Sequence, residues 1–130
     1  MANSLTITAL YAALLGLLFI PFTARVGIYR ARNQINLGDG GDPELLKRIR
    51  GQANFVETVP LALLLIALME LAGASTTWLH VLGILLVTGR IAHYLQITGF
   101  VQPLLFRGGG MGATIFVYLA GSVWLLLNAI

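Results

Sequence analysis

The sequence predicts an all-α fold: an integral membrane four-helix bundle. Three observations lead there. The chain is 58% hydrophobic and only 10% charged, against about 25% charged in a soluble domain, and its mean hydropathy is +0.87. Its apolar residues fall into four runs, each near the roughly 20 residues that cross a hydrocarbon core. Its eight Lys and Arg residues gather beside two of the three connections and leave the third bare. Four spans use up 130 residues. A single domain over 1–130 is therefore expected, with helices near 5–31, 43–71, 77–97 and 110–130.

The first span, Leu5 to Ala24, carries no charge. It lacks a basic leader and is too long for a signal-peptide core, so it reads as a retained helix. Pro21 is expected to kink it. Arg25, Arg30 and Arg32 mark its aqueous end. Residues 33–42 are polar and glycine-rich, without phosphate-loop or calcium-loop spacing, and read as a plain connector. Asp42-Pro43-Glu44 is a helix start, with an acid to cap, proline at the first position and a second acid in the first turn. The second helix begins polar, turns apolar after Glu57, meets Pro60, and ends at Gly73. Thr76 or Thr77 is expected to cap the third. That helix is apolar to Thr88 and then carries Arg90, His93 and Tyr94 on one face. Residues 98–110, with Pro103, Arg107 and three glycines, read as a loop, and the fourth helix follows uncharged. Small residues (Ala9, Ala12, Gly16, Gly83, Gly112, Ala113, Ala120, Gly121) permit close helix approach.

The charge map orients the chain. All basic residues flank the first and third connections, so the positive-inside rule places those loops in the cytoplasm and both termini on the opposite side. A pI near 9.8 therefore reflects orientation, and no nucleic-acid partner is expected, since no basic patch stands apart from the membrane boundary. There is no cysteine, hence no protein thiol and no disulfide. The two histidines lie at opposite membrane ends, so no metal is expected. His80 and Glu70 read as interfacial groups facing water, and Trp78 and Trp124 as interfacial or lipid-facing anchors.

Arg50, Asn54 and Glu57 sit at i, i+4 and i+7, on one helical stripe that runs toward hydrocarbon. Arg90 and His93 lie at similar depth. Ionisable groups there face a protein interior or a wet cavity. One reading is structural: Glu57 forms buried ion pairs with Arg50 or Arg90 that orient two helices. The other is a ligand site. Arginine forks bind carboxylates, a carboxylate holds an ammonium, and asparagine offers donor and acceptor. That set suits a zwitterionic, net-anionic molecule, with a lipophilic second substrate arriving through the membrane lipid. Tyr94 suits either packing or ligand contact.

Arg50-Gly-Gln52-Ala-Asn54-Phe-Val-Glu57-Thr-Val-Pro60 resembles the second-helix signature of the MAPEG family, the membrane-associated proteins in eicosanoid and glutathione metabolism. Gly89-Arg90-Ile-Ala-His93 is similar to that family's third-helix motif. The resemblance covers nearly the whole chain, and the compact size resembles a bacterial inner-membrane branch. It implies a homotrimer with glutathione, as co-substrate, bound between subunits. It implies that Arg30, Arg50, Gln52, Asn54, Glu57 and His93 contact glutathione; Arg90 and Tyr94, singled out above on the third helix, are further substrate-binding candidates. Arg107 looks like the catalytic arginine that stabilises the thiolate. The expected activity is glutathione transfer to lipophilic electrophiles or reduction of lipid hydroperoxides. Two positions depart from the pattern: Thr58 stands where a tyrosine is common, and Ile97 where a second aromatic is common. A non-catalytic glutathione- or lipid-binding scaffold of the same fold is the alternative. A small four-span exporter is a third reading, against which Glu57 lies far from the bilayer centre.

Overall fold

The computed structural model describes residues 4–129. Four helices make up the fold: α1 (Thr6–Asn33), α2 (Pro43–Leu71), α3 (Thr76–Ile97) and α4 (Leu104–Ala129). There is no strand among the described residues. Each helix is long and apolar enough to cross a membrane. The expected end of the fourth helix, Ile130, lies outside the described residues.

α2 and α3 form the middle of the bundle. α1 packs on both, α4 packs on both, and α1 and α4 do not touch among the described residues. The core between them is Leu15 and Phe22 of α1, Phe55, Val59, Ala62, Ile66 and Met69 of α2, Leu79, Leu82 and Leu86 of α3, and Val117 of α4. Leu17, Ile20, Leu64, Ile84, Leu119 and Leu126 point outward and are exposed. In water such a surface would be an aggregation hazard; in a bilayer it is the face that lipid wets. Lipid tails are as apolar as leucine, so burial alone does not hold these helices together and close fit must.

That fit depends on a few glycines. A Cβ on Gly83 would fall on the Tyr11 ring, and one on Gly110 would collide with the Gly89 carbonyl oxygen. One on Gly121 would sit 3.1 Å from the Leu65 Cβ. Gly16 and Gly112, which the sequence also offered as contact points, face open space.

Helix starts follow local chemistry. Asp42 accepts from the backbone N–H of Glu44 (2.8 Å) and Leu45 (3.2 Å), as expected of an acid before Pro43. The Tyr29 hydroxyl donates to the same carboxylate at 2.8 Å. That bond, with the backbone N–H groups, holds the Asp42 carboxyl below its ordinary value of 3.8. α3 is capped by Ser75, whose hydroxyl accepts from the Trp78 N–H at 3.3 Å; Thr76 and Thr77, the expected caps, already lie in the first turn. α4 starts at Leu104 rather than near Gly110. Pro103 precedes its first residue and its carbonyl accepts from the Phe106 N–H at 3.1 Å. Each helical glycine costs about 1 kcal/mol against alanine, but Gly110 lets α4 press onto the α3 backbone. Pro21 and Pro60 both lie inside continuous helices.

At the end remote from the arginines, α1 is fastened by side chains. Glu70 of α2 accepts from the N–H groups of Ile7 and Thr8 (both 2.8 Å) and from the Thr8 hydroxyl (2.6 Å). These are first-turn donors with no partner inside their own helix. The Tyr11 hydroxyl pairs with His80 Nδ1 at 2.8 Å and lies 3.2 Å from the His80 carbonyl oxygen. Glu70 and His80, read from sequence as groups facing water, tie α1 to α2 and to α3.

Candidate functional site

At the basic end of the bundle a cavity of about 860 Å³ opens between α2, α3, residues 98–103 and the start of α4. Its polar lining is Lys47, Arg50 and Asn54 from α2, His93 and Gln96 from α3, Gln102 from the connection, and Arg107 from α4. Leu46, Ile97, Leu104 and Met111 supply apolar wall. Lys47, Arg50 and Asn54 are spaced i, i+3 and i+7, so one stripe of α2 faces the space. Starting α4 at Leu104 is what brings Arg107 to the wall. Three cations line this cavity and no carboxylate does.

Of the residues singled out from sequence, Arg50, Asn54, His93 and Arg107 share the cavity. Arg107 is exposed and forms no ion pair among the described residues. Arg50 Nη2 lies 3.7 Å from a Glu57 carboxylate oxygen, with side chains 50% and 55% exposed. The ion pair foreseen as buried is thus half open, and Glu57 sits off the cavity wall.

Arg90 has a different environment. It is 2% exposed and meets no carboxylate. One Nη1 donates to Asn54 Oδ1 and, at 3.1 Å, to the Thr58 hydroxyl; Nη2 donates to the Gly110 carbonyl at 2.9 Å. Its Nε has no partner among the described residues. The guanidinium therefore links α2, α3 and α4 without reaching the cavity wall.

Three further candidates also lie off the wall. Arg30 donates to the Gly38 carbonyl at 2.6 Å, bracing the α1–α2 connection. Gln52 donates to the Thr23 hydroxyl at 2.9 Å, on the α1 side of α2. Tyr94 makes packing contacts: its ring stacks on Phe22 with centroids 3.5 Å apart, and its hydroxyl accepts from Arg25 at 3.0 Å. No cluster of three or more His, Asp or Glu suited to a metal occurs among the described residues.

Sequence reasoning passed over Lys47, Gln96 and Gln102. Lys47 and Gln96 each lie three residues from a candidate (Arg50 and His93), so extending the two helical stripes by one turn finds both. Nothing in the sequence marks Gln102.

The profile of the MAPEG family matches residues 8–127. The chain belongs to the MAPEG family. Among curated proteins, this MAPEG chain is 38% identical over 122 residues to the inner membrane protein YecN of Escherichia coli K12, covering 91% of each chain. YecN of Escherichia coli O6:H1 gives the same identity and coverage. No solved structure matches the chain significantly. The MAPEG motif on α2 thus divides in two. Its Arg50 and Asn54 line the cavity, its Glu57 lies on the same stripe paired with Arg50 but off the wall, and its Gln52 turns to α1.

Proposed function

We propose that this protein is a glutathione-dependent enzyme of the inner membrane. In this reading it transfers glutathione to lipophilic electrophiles or reduces lipid hydroperoxides. The observation that carries the reading is the cavity walled by Lys47, Arg50 and Arg107 with no acid among its lining residues, a field suited to a small net-anionic ligand. Arg107 is the thiolate-stabilising group. A free thiol titrates near 8.5, and a neighbouring guanidinium lowers that value, raising the population of nucleophile at neutral pH. The thiolate sulfur then attacks the electrophilic carbon, forming the C–S bond as the leaving group departs with its electron pair. Ile97, Leu104 and Met111 give a lipophilic partner an apolar edge to enter along.

Polar residues left part-exposed in the single chain belong to the assembly in this proposal. Half-exposed Arg50 and Glu57 stand at a depth where bare charge is costly. A neighbouring copy in a homotrimer covers them, and its Arg30 and Gln52 reach glutathione across the interface. The basic connections face the cytoplasm, by the charge rule and in keeping with a relative named as an inner membrane protein.

The test is calorimetric titration of glutathione into the detergent-solubilised protein, followed by turnover of a chlorinated dinitroaromatic. Arg50→Ala should weaken binding about tenfold or more, the worth of a charge-assisted bond. Arg107→Ala should retain binding but lose the ultraviolet absorbance of the thiolate and most turnover. A well-folded wild-type sample that binds no glutathione overturns the proposal. Thr58 favours one second reading, a non-catalytic binding scaffold. It stands where relatives commonly carry tyrosine, and here its hydroxyl is engaged by Arg90 and by the Asn54 carbonyl (2.7 Å). Binding without thiolate formation would select that reading.

A further inference from the structure

We infer that Arg90 is a positioning residue that sets the direction of the Asn54 amide and so decides which end of a zwitterion the cavity accepts. The inference rests on the reading of this cavity as the ligand site and refines it.

An arginine side chain has donors and no acceptor. The Asn54 amide must therefore turn its oxygen toward Arg90, as it does. Which amide atom is which follows from the partner. Arg90 itself is held on three sides, by Asn54, Thr58 and the Gly110 carbonyl. That carbonyl also accepts from the Thr114 hydroxyl at 3.1 Å. At 2% exposure the guanidinium has no room to leave, and the lack of a side chain on Gly110 is what lets α4 come close enough to hold it.

Among the described residues the Asn54 NH2 group meets no acceptor, and Asn54 lines the cavity. With Lys47, Arg50 and Arg107 beside it, the cavity offers three cations and an oriented donor. Glu57, which would attract an ammonium, pairs with Arg50 two turns further along α2 and does not line the cavity. The anionic end of the ligand therefore enters, and its amine stays on the Glu57 side.

The discriminating change is Asn54→Asp. It keeps an oxygen for Arg90 and replaces the NH2 with a second carboxylate oxygen. A buried guanidinium then gains a counter-ion, so the unfolding temperature in detergent should hold or rise. Glutathione affinity should fall about tenfold or more, and the affinity of glutathione diethyl ester, whose carboxyls are neutral, should fall far less. Arg90→Gln, which offers both donor and acceptor and frees the amide to flip, should narrow the preference for glutathione over its ester.

A preference unchanged in both variants overturns the inference, as does an Asn54→Asp protein that unfolds. If the wild type binds no glutathione, the functional proposal fails alone and sulfate becomes the probe of the same wall. Sulfate bound more tightly by the wild type than by Asn54→Asp sustains the inference; sulfate bound equally or not at all overturns it.

Discussion

At the Glu70 end of the bundle the polar groups find partners within the chain. The carboxylate takes three donors from the start of α1, and Tyr11 meets His80. At the Arg107 end only some do: Arg30, Gln52 and Arg90 are bonded within the chain, while others are not. Lys47 and Arg107 line a cavity and form no ion pair among the described residues, and behind its wall Arg90 keeps an unpartnered Nε. A polar group satisfied inside the protein contributes to holding helices together. One left unsatisfied in a low-dielectric setting is costly unless something else meets it. The two ends thus separate a fastening from a candidate binding surface, although both are built from a few side chains at helix ends.

The hardest test of this division is a matched pair of methyl insertions. Gly83→Ala presses on the Tyr11 ring at the fastened end, and Gly110→Ala presses on the Gly89 carbonyl at the open end. Overpacking typically costs about 1–3 kcal/mol. The backbone contact at Gly110 should be the worse, because no rotamer change relieves it. Thermal unfolding in detergent should show both losses, and only Gly110→Ala should also impair ligand binding. Next in size is Glu70→Ala. It strands first-turn N–H groups of α1 and should cost about 1.5–3 kcal/mol while leaving glutathione affinity at the far end unchanged. A loss of affinity there would break the separation of the two ends. Tyr11→Phe removes only the hydroxyl and should cost about 0.5–1.5 kcal/mol, read in the same melts.

The smallest effect concerns pH at the open end. The Asp42 carboxyl is lowered first by the Tyr29 hydroxyl and then by backbone N–H groups. Its folded value lies below its unfolded one, so its contribution is present above the ordinary value of 3.8 and fades as the pH falls through the lowered value. Asp42→Asn should flatten the pH dependence of the unfolding temperature between about pH 5 and pH 3. An identical profile in wild type and variant would remove Asp42 from that account.

The spans were legible because bilayer thickness dictates their length and lipid dictates their composition. Asp42-Pro43 marked the start of α2 because capping is local. The start of α4 was not legible. Gly108, Gly109 and Gly110 resemble a loop, and only the approach of α4 to Gly89 shows why one of them belongs in a helix. The same limit governed the site. Helical spacing put Arg50 and Asn54 on one face, and Lys47 lay on that face to be read. Arg90 and His93 share a face of α3 as well. Yet Arg90 is withdrawn to Thr58 and Gly110 while His93 reaches the cavity, a distinction made by the position of α4. Glu70 and His80 gave no sign of their partners, which lie more than sixty residues away.

That distance has a consequence for how the protein is made. Ile7 and Glu70 are 63 residues apart, and a ribosome adds about 5–20 residues each second. Ile7 is therefore synthesised several seconds before the carboxylate that secures it. Until Glu70 arrives, the first N–H groups of α1 must be satisfied by other partners. The bonds that join the start of α1 to the end of α2 can form only once the second span has been made, so Glu70 is a late closure of that pair as well as a clasp in the finished fold.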